Sequence, residues 1–239
     1  MKCYNSEMIP KVIHYCWFGN KPKPEIVLHC IESWKKFCPD YLVKEWNEDN
    51  VNIAAHPFSR LMYANKQWAF VADYARLEIL YKEGGIYLDT DMLLVQPLDE
   101  LLDTELLLGE ENDGVISAGM IGATAQHPFI IECMRYYDKH VKERITIPRV
   151  LTNIFNKSTN VDDATVLPSI AFYPFGPEDI KNYHGQRLTL STYGIHLWNY
   201  SWGHPLNKFL KRIGVYSFAR KTTEALKIKS ALKKIIGIV

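Results

Sequence analysis

Hydrophobic and polar positions along this chain follow two rhythms, one of strands and one of helices. Residues 9–18, IPKVIHYCWF, form a mostly apolar and aromatic run opened by a proline, and they predict a first strand. After a loop at 19–24, residues 25–37 bring Ile26, Leu28, Cys30, Ile31, Trp34 and Phe37 to near-helical spacing. Residues 41–46, YLVKEW, then read as a second strand. Strand, helix, strand begins a βαβ unit and so predicts a parallel sheet. The strongest helical pattern is 66–83, rich in Ala, Leu and Glu and ended by Gly84-Gly85. A short buried strand at 86–88 comes immediately after and runs into Asp89-Thr90-Asp91. Strands at 106–110 and 115–122 flank the turn Asn112-Asp113-Gly114, and a helix beginning near Pro128 spans 127–140. The stretch 145–205 is mixed, with strands expected at 165–167 and 170–173.

From about residue 217 the helical period returns. Ala225, Ile228, Leu232, Ile235 and Val239 share one face, while Lys227, Lys229, Lys233 and Lys234 occupy the others. The formal net charge of +1 hides an asymmetry: residues 208–239 hold nine Lys or Arg against Glu224, so the tail is +8 and the body −7. That pattern predicts a basic amphipathic helix on an anionic membrane surface. A C-terminal helix docked on the body with a solvated lysine face is the plainer alternative.

Composition narrows the class. With 47% apolar and 23% charged residues, wholesale disorder is excluded and a sizeable core is expected. No run approaches the ~18 apolar residues of a membrane span. Five cysteines without a CxxC pair argue against a zinc site or a disulfide framework and for a reducing compartment. The first 19 residues show no apolar leader. The expected setting is therefore cytoplasmic, peripheral on the inner face of the plasma membrane, with no nucleic-acid partner.

The sharpest chemistry is Asp89-x-Asp91 at the end of a buried strand. Two carboxylates so placed can share a hard divalent cation, and ligands of open α/β sheets sit beyond the carboxyl ends of strands. The bare pattern is weak, because 12 Asp in this length give about 0.6 such pairs by chance. Context strengthens it. In FVADYARLEILYKEGGIYLDTD (70–91), Asp73 and Arg76 lie three apart on one helix face. They form either an intrahelical ion pair or an acid and a guanidinium delivered to the same cleft as the two aspartates.

This stretch resembles the DxD region of glycosyltransferase family 32. IPKVIHYCWFG is similar to that family's opening strand, SWKKFCPDYLVKEWNED to the segment next to that strand, and HLWNYSW (196–202) to its closing segment. The resemblance covers about residues 9–205. It implies a GT-A fold, an α/β Rossmann-like mixed sheet with flanking helices. It also implies a nucleotide-sugar donor, Mn²⁺ or Mg²⁺ as cofactor, and retention of anomeric configuration. Carried onto this chain, Trp17 stacks on the base, and Asp73 and Arg76 hold the donor sugar and its ribose or phosphate side. Asp89 contacts ribose, sugar or metal, and Asp91 ligates the metal. Ser201 and Trp202 contact the metal or the diphosphate over the bound donor, and His196 is a further metal or phosphate contact. The catalytic set implied is Asp89, Asp91 and Arg76.

The expectation is a catalytic domain over 1–205, with a nucleotide-sugar half to about 105 and an acceptor half and closing segment after it, succeeded by the basic tail at 206–239. Its partners are a UDP-hexose, or second a GDP-sugar, and a glycan or lipid-linked acceptor as in capsule, exopolysaccharide or lipopolysaccharide assembly. One rival is an inactive membrane-associated glycan-binding or scaffold protein on the same fold. The other, a nucleotidyltransferase, would need a phosphate loop richer in glycine than GNKPKPE.

Overall fold

A computed structural model describes residues 8–158, 161, 163–177, 179–180 and 188–199. The expected basic tail, and with it Ser201 and Trp202, lies outside the described residues. These belong almost wholly to a compact unit that ends at Trp198.

Strands β1 (Val12–Cys16) and β2 (Leu42–Trp46) pair in parallel, joined through helix α1 (Glu25–Phe37) as the patterning predicts. Helix α1 buries Val27, Cys30, Ile31 and Trp34, one stripe at helical spacing, and carries Glu25 in its first turn and Lys35 and Lys36 in its last, each sign complementing the helix dipole. A short helix α2 (Pro57–Ala64), not expected from the pattern, precedes α3 (Trp68–Glu83). Helix α3 is buried nearly all round, from Val71 through Leu77, because it lies between the sheet and the helices α2 and α4 (Pro128–Lys139). Strand β3 (Gly85–Leu88) then enters the sheet beside β1.

The return from α3 to β3 is a matter of space as well as conformation. Gly84 and Gly85 have φ of 66° and 97°. A Cβ on Gly85 would stand 2.8 Å from the Val12 carbonyl oxygen and 2.9 Å from the His14 ring. Glycine is therefore required there. It lets His14 bridge the strands, with Nε2 on the Gly84 carbonyl at 2.9 Å and Nδ1 accepting from Trp46 Nε1 at 3.0 Å.

After a short strand β4 (Met92–Leu94), the hairpin β5 (Leu106–Asn112) and β6 (Val115–Ala123) completes the centre of the sheet, and β7 (Ala164–Leu167) forms its far edge. The order is β2-β1-β3-β6-β5-β7, with β6 antiparallel to both neighbours and the other pairs parallel. Helix α4 (Pro128–Lys139) appears as expected, and α5 (Ile147–Phe155) falls in the stretch left mixed. The strand expected at 170–173 is instead a 3-10 turn at Ser169–Ala171, which closes on itself through Tyr173 N–H to the Ser169 carbonyl. The turn lets Ala171, Phe172 and Tyr173 all point into protein, which an alternating strand would not.

Two helices that pack on α3 begin alike. At His56-Pro57-Phe58 and His127-Pro128-Phe129, the histidine Nδ1 accepts the phenylalanine N–H at 3.2 Å, capping α2 and α4. Among the described residues no helix is long and apolar enough to cross a membrane.

Candidate active site

The site forms where β3 ends. Extending the β1–β3 register places Cys16 and Trp17 level with Asp89 and Thr90, at the carboxyl edge of the parallel strands. There the chain leaves the main sheet. Asp89 N–H still bonds the Gly119 carbonyl of β6 at 2.8 Å, and Met92 N–H bonds the Asp89 carbonyl at 2.9 Å, a tight turn that throws both aspartates to one side.

Strand β4 is held from below by α1, where Trp34 Nε1 donates to the Met92 carbonyl at 2.7 Å and Ser33 Oγ accepts from Leu94 N–H at 3.0 Å. On its other edge it pairs antiparallel with β8 (Gly194–His196), Met92 opposite His196. Leu197 N–H adds a bond to the Asp91 carbonyl at 2.9 Å. This two-stranded ladder delivers the distant His196 to the aspartates, with its Nε2 3.2 Å from Asp91 Oδ1.

Asp89, Asp91 and His196 offer ligand atoms that all lie within 4.8 Å of one another. Two carboxylates and one imidazole suit Mn²⁺, which accepts both oxygen and nitrogen donors, better than an all-oxygen cation site would. Among the described residues His196 Nδ1 is buried without a hydrogen-bond partner, and the polar engagement of the ring runs toward the carboxylates. Burial alone would lower the His196 pKa, but Asp91, with Asp89 and Glu111 behind it, raises it. The residues fit a divalent metal.

A second cluster, Glu105, His127 and Asp163, has similar spacing but the wrong proton. His127 Nδ1 accepts the Phe129 N–H, so the neutral ring carries its hydrogen on Nε2, facing Asp163 at 3.4 Å. An Nε2 that bears hydrogen has no lone pair for a metal.

Behind the aspartates lies a buried charge network. Arg76, 5% exposed, engages all three of its nitrogens. Nε meets the Ala72 carbonyl at 3.3 Å, Nη1 the Ala118 carbonyl at 2.6 Å and Asp89 Oδ1 at 3.1 Å, and Nη2 Asp73 Oδ1 at 3.2 Å. The guanidinium also stacks 4.4 Å over the Tyr87 ring, whose hydroxyl reaches Asp89 Oδ1 at 3.3 Å. Burial pushes the Asp73 carboxyl up to about 7 although Arg76 pulls it down. Sequence left two roles open for Asp73 and Arg76. The structure shows both at once: they are an ion pair, and they stand beside the aspartates.

Trp17 lies at the expected edge but is buried, with Nε1 donating to the Lys21 carbonyl at 2.6 Å and Lys23 Nζ 6.0 Å from its ring centre. Stacking a base on it requires the loop at 19–24 to part from the ring.

Several residues of the site carry no mark in the sequence. Ser117 and Tyr173 share a hydrogen bond between their hydroxyls, and the Tyr173 ring lies 5.3 Å from His196 and 5.9 Å from Trp198. Tyr87 stands inside the 70–91 motif, but nothing in its type marks it as the floor beneath Arg76. Glu111 is the penultimate residue of β5, a strand whose register shifts on both sides of Glu110, an irregularity of the kind that re-aims side chains near active sites.

Known proteins resemble this chain in two stretches, the first holding Asp73, Arg76, Asp89 and Asp91 and the second His196. Residues 24–108 match the family described as glycosyltransferase sugar-binding region containing DXD motif, and residues 122–212 match the alpha 1,4-glycosyltransferase conserved region. Lactosylceramide 4-alpha-galactosyltransferase of Pan troglodytes is 31% identical over 54% of this chain, a match covering 41% of that relative. Inositol phosphoceramide mannosyltransferase 3 of Schizosaccharomyces pombe is 33% identical over 54% of the chain and 37% of its own length. The chain thus spans about two fifths of the length of these relatives. Among solved structures, the PaToxG glycosyltransferase superposes with a TM-score of 0.54 at 19% identity, over 65% of this chain and 72% of that one. The fold is the GT-A type expected from the motifs.

One expectation is overturned. Relatives of this chain include eukaryotic transferases named for ceramide lipids, which runs against the expected cytoplasm and inner face of the plasma membrane. The cysteine argument fails for a physical reason. Cys16, Cys30, Cys38 and Cys133 are all buried, and burial raises the pKa of each thiol, so these cysteines pack as small apolar groups whatever the compartment.

Proposed function

We propose that this chain, a glycosyltransferase that belongs to the DXD-containing sugar transferases, moves a hexose from a nucleotide sugar to a glycan or lipid-linked acceptor with retention of configuration. The observation that carries the reading is the convergence of Asp89, Asp91 and His196 from two remote segments into one set of ligand atoms within 4.8 Å, backed by the Arg76 network.

In this reading Asp91, His196 and Asp89 hold Mn²⁺, with Mg²⁺ the second choice. The metal, when bound, supplies a Lewis acid where negative charge develops on the leaving diphosphate. Arg76 fixes the rotamers of Asp73 and Asp89, so both carboxylates are set before the donor arrives. Asp73, half in its neutral form near pH 7, can donate to or accept from a sugar hydroxyl. Trp17 takes the base once the 19–24 loop has moved off its ring. Ser201 and Trp202 close over the diphosphate and exclude water that would otherwise hydrolyse the donor. The retaining step is a front-face displacement, in which the leaving phosphate accepts the proton of the acceptor hydroxyl.

A UDP-hexose is favoured over a GDP-sugar. The ceramide lipids in the relatives' names favour a lipid-linked acceptor, whereas capsule and lipopolysaccharide keep only the family resemblance behind them. The body, 1–205, carries catalysis, and residues 217–239 contact an anionic membrane surface. Equal binding of the full chain and a chain lacking 217–239 to anionic liposomes would remove that contact.

The test is release of UDP or GDP from a panel of nucleotide sugars, with Mn²⁺ and with chelator. Slow metal-dependent hydrolysis of one donor, abolished in Asp91→Ala, is the expected result. A protein that neither hydrolyses nor binds any donor with Mn²⁺ is no transferase, and the reading then passes to a glycan-binding scaffold.

A further inference from the structure

Three consecutive residues of β6 serve the site. The Ser117 hydroxyl meets Tyr173, the Ala118 carbonyl takes Arg76, and the Gly119 carbonyl takes the Asp89 N–H. The last two are structural anchors. The first has a hydrogen to spare. Ser117 and Tyr173 are 2% and 6% exposed. Their hydroxyls bond each other, and Ser117 Oγ also accepts the Gly119 N–H at 3.1 Å. Each hydroxyl owns one hydrogen. The bond between them uses one and the Gly119 bond uses neither, so one O–H hydrogen of the pair has no acceptor among the described residues.

Gly119 brings this pair close to the site. A Cβ on that residue would stand 2.6 Å from the Tyr173 hydroxyl oxygen and 3.2 Å from Asp89 Oδ2. The hydroxyl pair and the metal-side carboxylate thus converge over a residue that has no side chain to part them. Asp89, Glu111 and Asp91 all act on the Tyr173 phenol. A neutral alcohol suits this position, because one hydroxyl can accept from the pair and donate to Asp89.

We propose that the Ser117–Tyr173 hydroxyl pair, opposite Asp89, reads one hydroxyl of the transferred hexose and so helps select the donor sugar. This rests on the glycosyltransferase reading above. The pair acts as a unit, since removing either hydroxyl leaves the other without its partner.

The experiment is calorimetric titration of the Mn²⁺-loaded protein with UDP, UDP-galactose, UDP-glucose, UDP-N-acetylglucosamine, GDP and GDP-mannose. For each donor the hexose gain is the ratio of the nucleotide Kd to the nucleotide-sugar Kd. In Tyr173→Phe, which keeps the ring against His196 and Trp198, the gain for the preferred sugar should fall by about 2- to 13-fold, the worth of one neutral hydrogen bond. Affinity for the bare nucleotide should stay within about 2-fold of wild type. Ser117→Ala should behave the same way, and the double variant should be no worse than either single one. Multiplied losses in the double variant, equal weakening of nucleotide and nucleotide sugar, or no change overturns the proposal. So does a wild type that binds nucleotide with no hexose gain, whereas a wild type that binds no nucleotide at all overturns the glycosyltransferase reading itself. Melting temperatures within a few degrees of wild type separate these outcomes from misfolding, and a variant that fails that check is replaced by the other.

Discussion

Replacing Arg76 with methionine keeps the length and apolar bulk of the side chain and removes its charge. The guanidinium is held by four acceptors: two carbonyls, at 3.3 and 2.6 Å, and two carboxylates, at 3.2 and 3.1 Å. The side chains of Arg76 and Asp73 are 6% and 11% exposed, so water replaces little of what Asp73 would lose, while Asp89, 30% exposed, would regain part from solvent. Deleting one partner of a buried pair while leaving the other charged costs about 3–5 kcal/mol. For a domain of this size that is a fall in melting temperature of roughly 6–20 °C. The assay is a thermal melt of Arg76→Met at pH 7.5 without metal. A second reading comes from pH. With the cation gone, Asp73 loses the charge that pulled its carboxyl down and binds its proton still more tightly in the folded chain, so the deficit should shrink as pH is lowered toward 5. Arg76→Lys should recover only part of the loss, because a point charge cannot span both carboxylates and the Ala118 carbonyl. A fall of less than about 3 °C, or a deficit that grows on acidification, would refute the claim that Arg76 is the internal counter-ion of the site.

Three further outcomes rest on the same geometry. His196→Ala should abolish most of the Mn²⁺-induced rise in melting temperature; an undiminished rise would mean the metal sits elsewhere. Asp73 has its carboxyl raised from 3.8 to about 7 in the fold, so the folded state holds the extra proton between those values. Wild-type stability should therefore decline as pH rises from about 4 to 7 relative to Asp73→Asn, and urea titrations at several pH values giving parallel curves would contradict this. Gly119→Ala puts a methyl 2.6 Å from the Tyr173 hydroxyl, so it should cost about 1–3 kcal/mol in a urea titration and mimic Tyr173→Phe in donor binding. Unchanged binding would show that the position beside Asp89 is not used.

Much of this arrangement is legible in the sequence because it is local. Helix α3, the two glycines and Asp89-Thr90-Asp91 are contiguous, and a spacing of three puts Asp73 and Arg76 on one face without any tertiary knowledge. What the sequence hides is non-local or made of backbone. Nothing near residue 92 signals pairing with residue 196, because three-residue strands carry no periodicity. The Ala118 carbonyl that anchors Arg76 has no side-chain signature. Tyr173 reads as a strand residue because AFYP is apolar and aromatic; the turn that aims it depends on Pro168 and on contacts with 193–196. The compartment is misread when buried thiols are taken as a redox signal.

The β4–β8 ladder has a bearing on how the enzyme comes to life on the ribosome. The chain can make the turn at Asp89–Asp91 as soon as β3 is seated, but the strand bearing His196 is still unsynthesised then. At about 5–20 residues per second, the interval between the two is of the order of 5–20 s. During that time the nascent protein holds only Asp89 and Asp91 of the three residues proposed to hold the metal. In that reading metal capture is postponed until β8 has been made, so that loading reports that this strand is in place.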